Sequence, residues 1–364
     1  MRRESKRSES AARSFLGNPL AVIGVLIILV FAVMVAAHPL FMATIWAGQG
    51  HIYDPITGYD APIVHAEVVK EVTDPSTQVS LRDARSRDIT SNIGDFVTLK
   101  LQPAPPSSAH WLGTDTFGRD VFSLILAGAR PTFIVGLSAA LVSALLGTTM
   151  AVAAAIVGGG TDRLLSKFSD VLLLFPAPLA MIVLSGGSLG EFLSPLIFGV
   201  LYGVLAGGST VAIVLRSQAL ATIRRPFIDA ARVSGASGWH LAWRHLVPHL
   251  IPLVAATVLT SVVGAVVANG FASWLAYSDD LTNWGALMFV AISFTTTNAF
   301  PWNVFFAGAI AISLFCAGFY LTSLGLKDAA FRRREHRRSG WTIRPSRSWP
   351  PSPIRERLRT ITRR

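Results

Sequence analysis

Charge is what this 364-residue chain has least of: Asp, Glu, Lys and Arg make up 15 % of it, against about 25 % in an ordinary soluble domain. So few charges cannot clothe one large water-borne core, whereas 51 % hydrophobic residues suit helices that meet lipid. Cysteine is almost absent. Cys316 stands alone inside an apolar run, so an intramolecular disulfide is impossible and thiol redox chemistry has no basis. Catalytic signatures are missing as well: there is no G-x-x-x-x-G-K-[ST], H-E-x-x-H, C-x-x-C or G-x-G-x-x-G. GGSLG at Gly186–Gly190 fits G-x-S-x-G in letters only, because that elbow needs a strand, a turn and a helix in an α/β sheet. Here it lies between two hydrophobic runs and reads as a turn. No charged residue falls well inside a long apolar run, where each would cost about 2.5–3.5 kcal/mol and would mark an ion or proton path. Asp162, Arg163, Lys167 and Asp170 gather at a loop and read as interfacial anchors. These absences argue against an enzyme site and against proton-coupled transport. They leave a pore driven from elsewhere.

What is present is a series of apolar runs. About 20 apolar residues carry an α-helix across a bilayer with every backbone group satisfied internally. Leu20–Ala37 has 18 uncharged residues, Thr132–Val157 26, Val171–Gly187 17, Phe192–Leu215 24 and Leu250–Tyr277 28; Leu281–Leu326 runs for 46. The core of the first run is too long for a signal peptide and reads as an uncleaved helix. The last run is broken early by Asn, Gly, a Thr triplet and Pro301, then continuous. Charge chooses between one span and two in it. With six spans and a cytoplasmic N-terminus, the inside segments (the N-tail, Gly158–Ser169, Arg216–His249 and the C-tail) hold 5, 2, 5 and 13 Lys and Arg. The short outside loops Ser185–Glu191 and Ser278–Asn303 hold none. A seventh span would put the 13-charge tail outside, against the positive-inside tendency.

The expected fold class is therefore all-α and integral to the membrane, with six transmembrane helices. A cytoplasmic tail covers 1–19 and the first helix 20–37. An enlarged extracytoplasmic insert at 38–129 is followed by a five-helix core at 130–326, and a basic cytoplasmic tail at 327–364 is expected to be disordered. Leu281–Phe300 is expected as a half-buried or re-entrant outside segment. Within the insert, Phe96–Leu101 reads as a strand and Ile63–Val72 alternates loosely. The net charge of +11 does not indicate nucleic acid, because the basic clusters flank apolar runs and suit topology or anionic lipid.

The longest inside loop, Arg216–His249, reads as two short helices. Pro226 suits a helix start, with Asp229 near the positive end of its dipole. Gly235 can take a positive φ at a C-terminal turn, and Ala230 and Ala231 let another backbone come close. A second helix over Trp239–Leu246 is expected to stop before Pro248 and Pro252. From periodicity alone, the loop is equally an amphipathic connector lying on the bilayer.

The residues carry a resemblance. DAARVSG (Asp229–Gly235), followed after nine residues by HLVP (His245–Pro248), resembles the EAA loop of ABC-transporter inner-membrane permeases. Asp229 stands for the usual Glu, and Val247–Pro248 for Leu-Pro. HWLGTDTFGRDVFSLILAGARP (His110–Pro131), GGGTDRLLSKFSDVLLLFPAPL (Gly158–Leu179), NWGALM (Asn283–Met288) and LGLKDA (Leu324–Ala329) are similar, in order, to segments of dipeptide/oligopeptide/nickel permeases, most like the C-type subunit. The resemblance covers roughly 15–330. It implies the type I importer permease fold in a bacterial inner membrane with both termini cytoplasmic. Four kinds of partner are implied: a B-type permease in a heterodimer, two ABC ATPase subunits, an extracytoplasmic substrate-binding protein, and lipid, with no nucleic acid. It implies no cofactor or metal in this chain, ATP and Mg being on the ATPase partners.

The implied site is the coupling loop: Asp229, Ala230, Ala231, Gly235, His245 and Pro248. A second element before the second span comprises Gly113, Thr114, Asp115, Gly118, Arg119 and Asp120. There Thr114 and Asp115 are expected to cap a helix and Arg119 to pair with Asp120 or a headgroup. The implied function is ATP-driven import of di- or oligopeptides. Import of nickel or another small solute is the alternative, as is a non-transporting structural or signalling subunit. Pro176 and Pro178 are expected to kink the third span, and Trp274, Trp284 and Trp302 to anchor at the interface.

Overall fold

The computed structural model describes residues 17–48, 53, 63–73, 77–86, 90–100, 103–115, 118–186, 190–275, 282–293 and 300–339, with side chains of the last helix described to Asp328. Five helices are long and apolar enough to cross a membrane, and a bent pair completes a sixth span.

The first span, α1, is Pro19–Ala43. Asn18 Oδ1 accepts the Leu20 amide at 3.1 Å, and Pro19 occupies a first-turn position where no amide is needed. Helix α1 lies along the last helix, α12 (Trp302–Ser339). At their crossing the side chains shrink: a Cβ on Gly24 would stand 2.7 Å from the Gly318 carbonyl oxygen. In lipid, where there is no hydrophobic force between helices, such small-residue contacts and van der Waals packing hold spans together.

The insert carries a small sheet in the order β2-β1-β3. Strand β1 (Ile63–Val69) pairs antiparallel with β3 (Phe96–Lys100), Ile63 opposite Lys100, and parallel with the short β2 (Gln78–Ser80). Helix α2 (Leu81–Ser86) follows β2, and Ala66, Val68, Val79 and Ala84 close a core between them. The strand expected at Phe96–Leu101 thus forms over Phe96–Lys100, and Leu101 lies outside the described residues. Of its partners, β1 falls within the loosely alternating Ile63–Val72, and β2, three residues long, is too short for alternation to announce it.

The second span, α3 (Val121–Val157), begins inside the stretch assigned to the insert. Asp120 starts it, and at 37 residues it is roughly 55 Å long. The third span is the bent pair. Helix α4 (Gly159–Leu174) and α5 (Ala177–Ser185) meet at 58°. Phe175 is extended (φ −104°, ψ 93°), as the residue before Pro176 is driven out of the helical region. The stretch expected as a loop at Gly158–Ser169 is instead largely helical, because Arg163 and Lys167 lie four apart and share one face at the membrane rim.

The fourth span runs through α6 (Pro195–Ala206), a π turn at Gly207–Val211 and α7 (Ala212–Ile223). Its wide turn is buried against α3 and α4. A Cβ on Gly207 would lie 2.8 Å from Ser143 Cα, and one on Gly208 2.6 Å from Leu172 Cδ1. Arg216 on α7 reaches Asp162 on α4 through two bonds of 2.6 and 2.9 Å.

Helix α8 (Pro226–Val233) is followed by α9 (Gly238–Leu241), a π turn at Ala242–Leu246 and α10 (Val247–Leu275). The helix expected to end before Pro248 therefore continues into the fifth span. The Val247 amide bonds back to the Ala242 carbonyl, five residues away. That wide turn separates the proline ring from the carbonyl it would strike in a regular helix. Helix α11 (Trp284–Ser293), expected half-buried, packs against α12 with most of its described residues buried. Trp284 proves to be core rather than an interface anchor: it is 1 % exposed and its Nε1–H donates to the Ile125 carbonyl at 3.1 Å. Finally, α12 stays helical to Ser339, where disorder was expected. Ala, Arg, Lys and Glu beyond Gly325 are good helix formers extending a helix the span has already nucleated. Residues 340–364 and Ser188 of GGSLG lie outside the described residues.

Candidate functional site

Helix α8 hangs from the membrane core by one side chain. Ile228 is fully buried in a cluster with Leu215, Leu241, Leu246 and Leu250, a burial worth about 1.5–3 kcal/mol. Asp229, Ala230, Arg232 and Val233 are exposed, Val233 at 90 %, while Ala231 is half-buried against the same cluster. Asp229 and Arg232 approach at 3.5 Å, an exposed pair worth little. The helix ends in a Schellman turn. The Ala236 amide bonds to the Ala231 carbonyl at 3.1 Å and the Gly235 amide to Arg232 at 2.9 Å. Gly235 sits at φ +83°, where a Cβ would touch nothing but the backbone would be strained. Ser237 Oγ then caps α9 by accepting the His240 amide at 3.3 Å.

The other residues of the loop lie on the return helix. His245 is half-buried and Pro248 exposed. Phe227 bridges the two helices, stacked 5.3 Å from His249 and tilted 6.2 Å from His245. Asp229, Ala230, Ala231 and Gly235 thus share one short rigid unit, with His245 and Pro248 beneath it. Ile228 and Phe227 are the positions sequence reasoning missed. Their signal was their place in PFIDAARV, as the apolar residues preceding the exposed stretch.

The element before the second span is a buried, self-satisfied knot. Asp115 is fully buried, and Arg119 is 3 % exposed. The Arg119 guanidinium meets the Asp115 carboxylate through Nε at 2.8 Å and through Nη2, and its own amide donates to Asp115 Oδ1 at 2.9 Å. Thr114 Oγ1 accepts the Ala104 amide at 2.7 Å. Asp120 is the helix cap: Oδ1 takes the Ser123 amide at 2.7 Å and Oδ2 faces His110 Nδ1 at 2.9 Å. The roles assigned from sequence are therefore exchanged. Thr114 and Asp115 do not cap, and Arg119 pairs with Asp115, whose carboxylate it reaches in a forked geometry. Gly113 and Gly118 turn the chain at φ +78° and +84°, and Asn303 ties the loop to α12 by donating to the Leu112 carbonyl at 2.8 Å.

Residues 143–326 match the family described as binding-protein-dependent transport system inner membrane component. The chain belongs to that family. It is 31 % identical over 240 residues to the oligopeptide transport system permease protein OppC of Bacillus subtilis, covering 65 % of this chain and 76 % of that one. It is 29 % identical to the glutathione transport system permease protein GsiD of Pectobacterium atrosepticum (62 % and 73 % covered). To the dipeptide transport system permease protein DppC of Alkalihalophilus pseudofirmus it is 32 % identical (62 % and 72 %). The protein is accordingly a multi-pass ABC importer permease with the type I fold, and a transport component rather than an enzyme. In this permease, the matched segment holds everything from the middle of α3 to the end of the apolar part of α12, the loop carrying α8 included.

Proposed function

We propose that this permease forms half of the pore of an ATP-driven importer of di- or oligopeptides, and that α8 transmits the ATPase cycle to the spans. The relatives named for oligopeptide, dipeptide and glutathione transport support the cargo class. The observation that carries the coupling role is the asymmetry of α8: one buried anchor, an exposed remainder and a stiff glycine turn. A lever needs those properties and no reactive group.

In this reading a B-type permease supplies the other half-pore. Two ATPase subunits, which carry the ATP and Mg, grip Asp229–Gly235 from the cytoplasm, and a binding protein delivers peptide to the insert side. Both termini are cytoplasmic and the insert is extracytoplasmic, as the distribution of Lys and Arg favours. Closure of the ATPase pair pulls α8, and Ile228 passes that motion to α7 and α10 as a rigid-body switch.

Gly235→Val tests the lever. Valine at φ +83° is strained by about 1–2 kcal/mol, enough to unwind the turn without touching the membrane core. We expect the complex to assemble and hydrolyse ATP while peptide uptake into reconstituted vesicles falls at least tenfold. Normal uptake would remove α8 from the coupling path.

A further inference from the structure

We propose that a cavity at the insert end of the first two spans binds an organic ammonium group between aromatic rings and the Asp120 carboxylate. The cavity, ≈ 300 Å³, lies where α1 ends and α3 begins. That is the lower end of the range for small-molecule pockets, about 300–1,000 Å³. Trp46, Tyr53, Trp111 and Phe122 are in its wall. Trp46 is the hub: its ring is stacked 4.5 Å from Tyr53 and stands 6.5 Å from Phe122 at a near right angle. Phe122 in turn lies 5.3 Å from Trp111. Trp46 and Tyr53 cover one face of each other, and the tilted rings of Phe122 and Trp111 complete the wall; a ring face attracts a cation lying within about 6 Å of its centroid.

Asp120 supplies the charge. Among the described residues lining the cavity it is the charged one, and it is 2 % exposed. Its two oxygens each hold one partner, the Ser123 amide and His110 Nδ1, and a carboxylate oxygen has room for a second. The neighbouring Arg119 is already committed to Asp115. An anion would be repelled by this wall, and a purely apolar guest would leave a carboxylate facing it. A bare metal ion lacks ligands, since no three His, Cys, Asp or Glu come together among the described residues. An alkylammonium satisfies both the rings and the carboxylate. The proposal goes beyond the transport reading, and only its cargo outcome rests on that reading.

Two sources carry that group to this place: the headgroup of an ethanolamine lipid and the free amino terminus of a peptide. The test uses the permease assembled with its transport partners in nanodiscs of phosphatidylglycerol, which has no ammonium, titrated with radiolabelled methylammonium. We expect saturable binding of one equivalent per permease. Asp120→Asn keeps an acceptor for the Ser123 amide but removes the charge; Trp111→Leu removes a ring that is 68 % exposed and so weakly tied to folding. Each should weaken binding by about tenfold. Competition by added phosphatidylethanolamine assigns the site to lipid; competition by a dipeptide with a free amine, but not by its N-acetylated form, assigns it to cargo. Unsaturable binding, unchanged binding in both variants, or competition from neither source overturns the proposal.

Discussion

Arg119 and Asp115 show how a buried charge survives in a protein so poor in charge. Each is almost wholly shielded from solvent, and each is satisfied by the other and by the backbone of the same turn. Removing one partner leaves the other buried and alone, at a cost of about 3–5 kcal/mol. We therefore expect Arg119→Ala to lower the melting temperature of the purified permease sharply. Arg119→Lys, a point charge without the fork, should recover only part of the loss. Replacing both residues by Leu and Met should restore more stability than either single change leaves, because the lone charge rather than the missing pair is what destabilises. A double variant less stable than both singles would contradict this account.

At the scale of elements, the two π turns matter most. One lies ahead of Pro248, and the other lies where Gly207 and Gly208 meet α3 and α4 too closely for a side chain. The turn in the fourth span lies five residues before Arg216, whose ion pair with Asp162 ties α7 to the bent third span. In the lever reading proposed above, motion entering at α8 would reach the bend at Pro176 through α7 and this ion pair. Gly207→Val should disturb that route. Its side chain would press on the backbone of Ser143, which cannot rotate away as a side chain can, so overpacking of about 1–3 kcal/mol is expected. A thermal melt in detergent checks this. Gly160→Ala serves as control, since its Cβ would meet nothing and its backbone is already helical, without a positive φ. Equal losses in the two variants would mean that the close contact does not matter.

For the whole molecule, the first question is which side each end faces. In a Cys316→Ser background, Phe96→Cys in the insert and Val233→Cys on α8 are both well exposed, at 76 % and 90 %. With intact cells, a membrane-impermeant maleimide should label Phe96→Cys and leave Val233→Cys untouched until the cytoplasmic face is opened. Labelling of Val233→Cys on intact cells would invert the topology and remove α8 from any cytoplasmic ATPase. The last span's helix extends to Ser339, well beyond the apolar run, so the first part of the basic stretch is helical.

Apolar length and the placement of Lys and Arg determined the number of spans, the basic ends and the exposed loop, because a bilayer rewards those properties whatever the neighbours are. Local chemistry likewise announced Pro226 and Gly235 as the limits of α8, and Pro176 as the bend. Only tertiary structure decided which partner each polar group took. Asp115, Asp120, Arg119 and His110 lie within eleven residues, and several pairings were equally close in sequence. Packing also turned Trp284 inward, carried the fifth span through Pro248, and set Trp46 from one helix end beside Phe122 from another. Such outcomes depend on surfaces brought together from distant parts of the chain, which no local pattern contains.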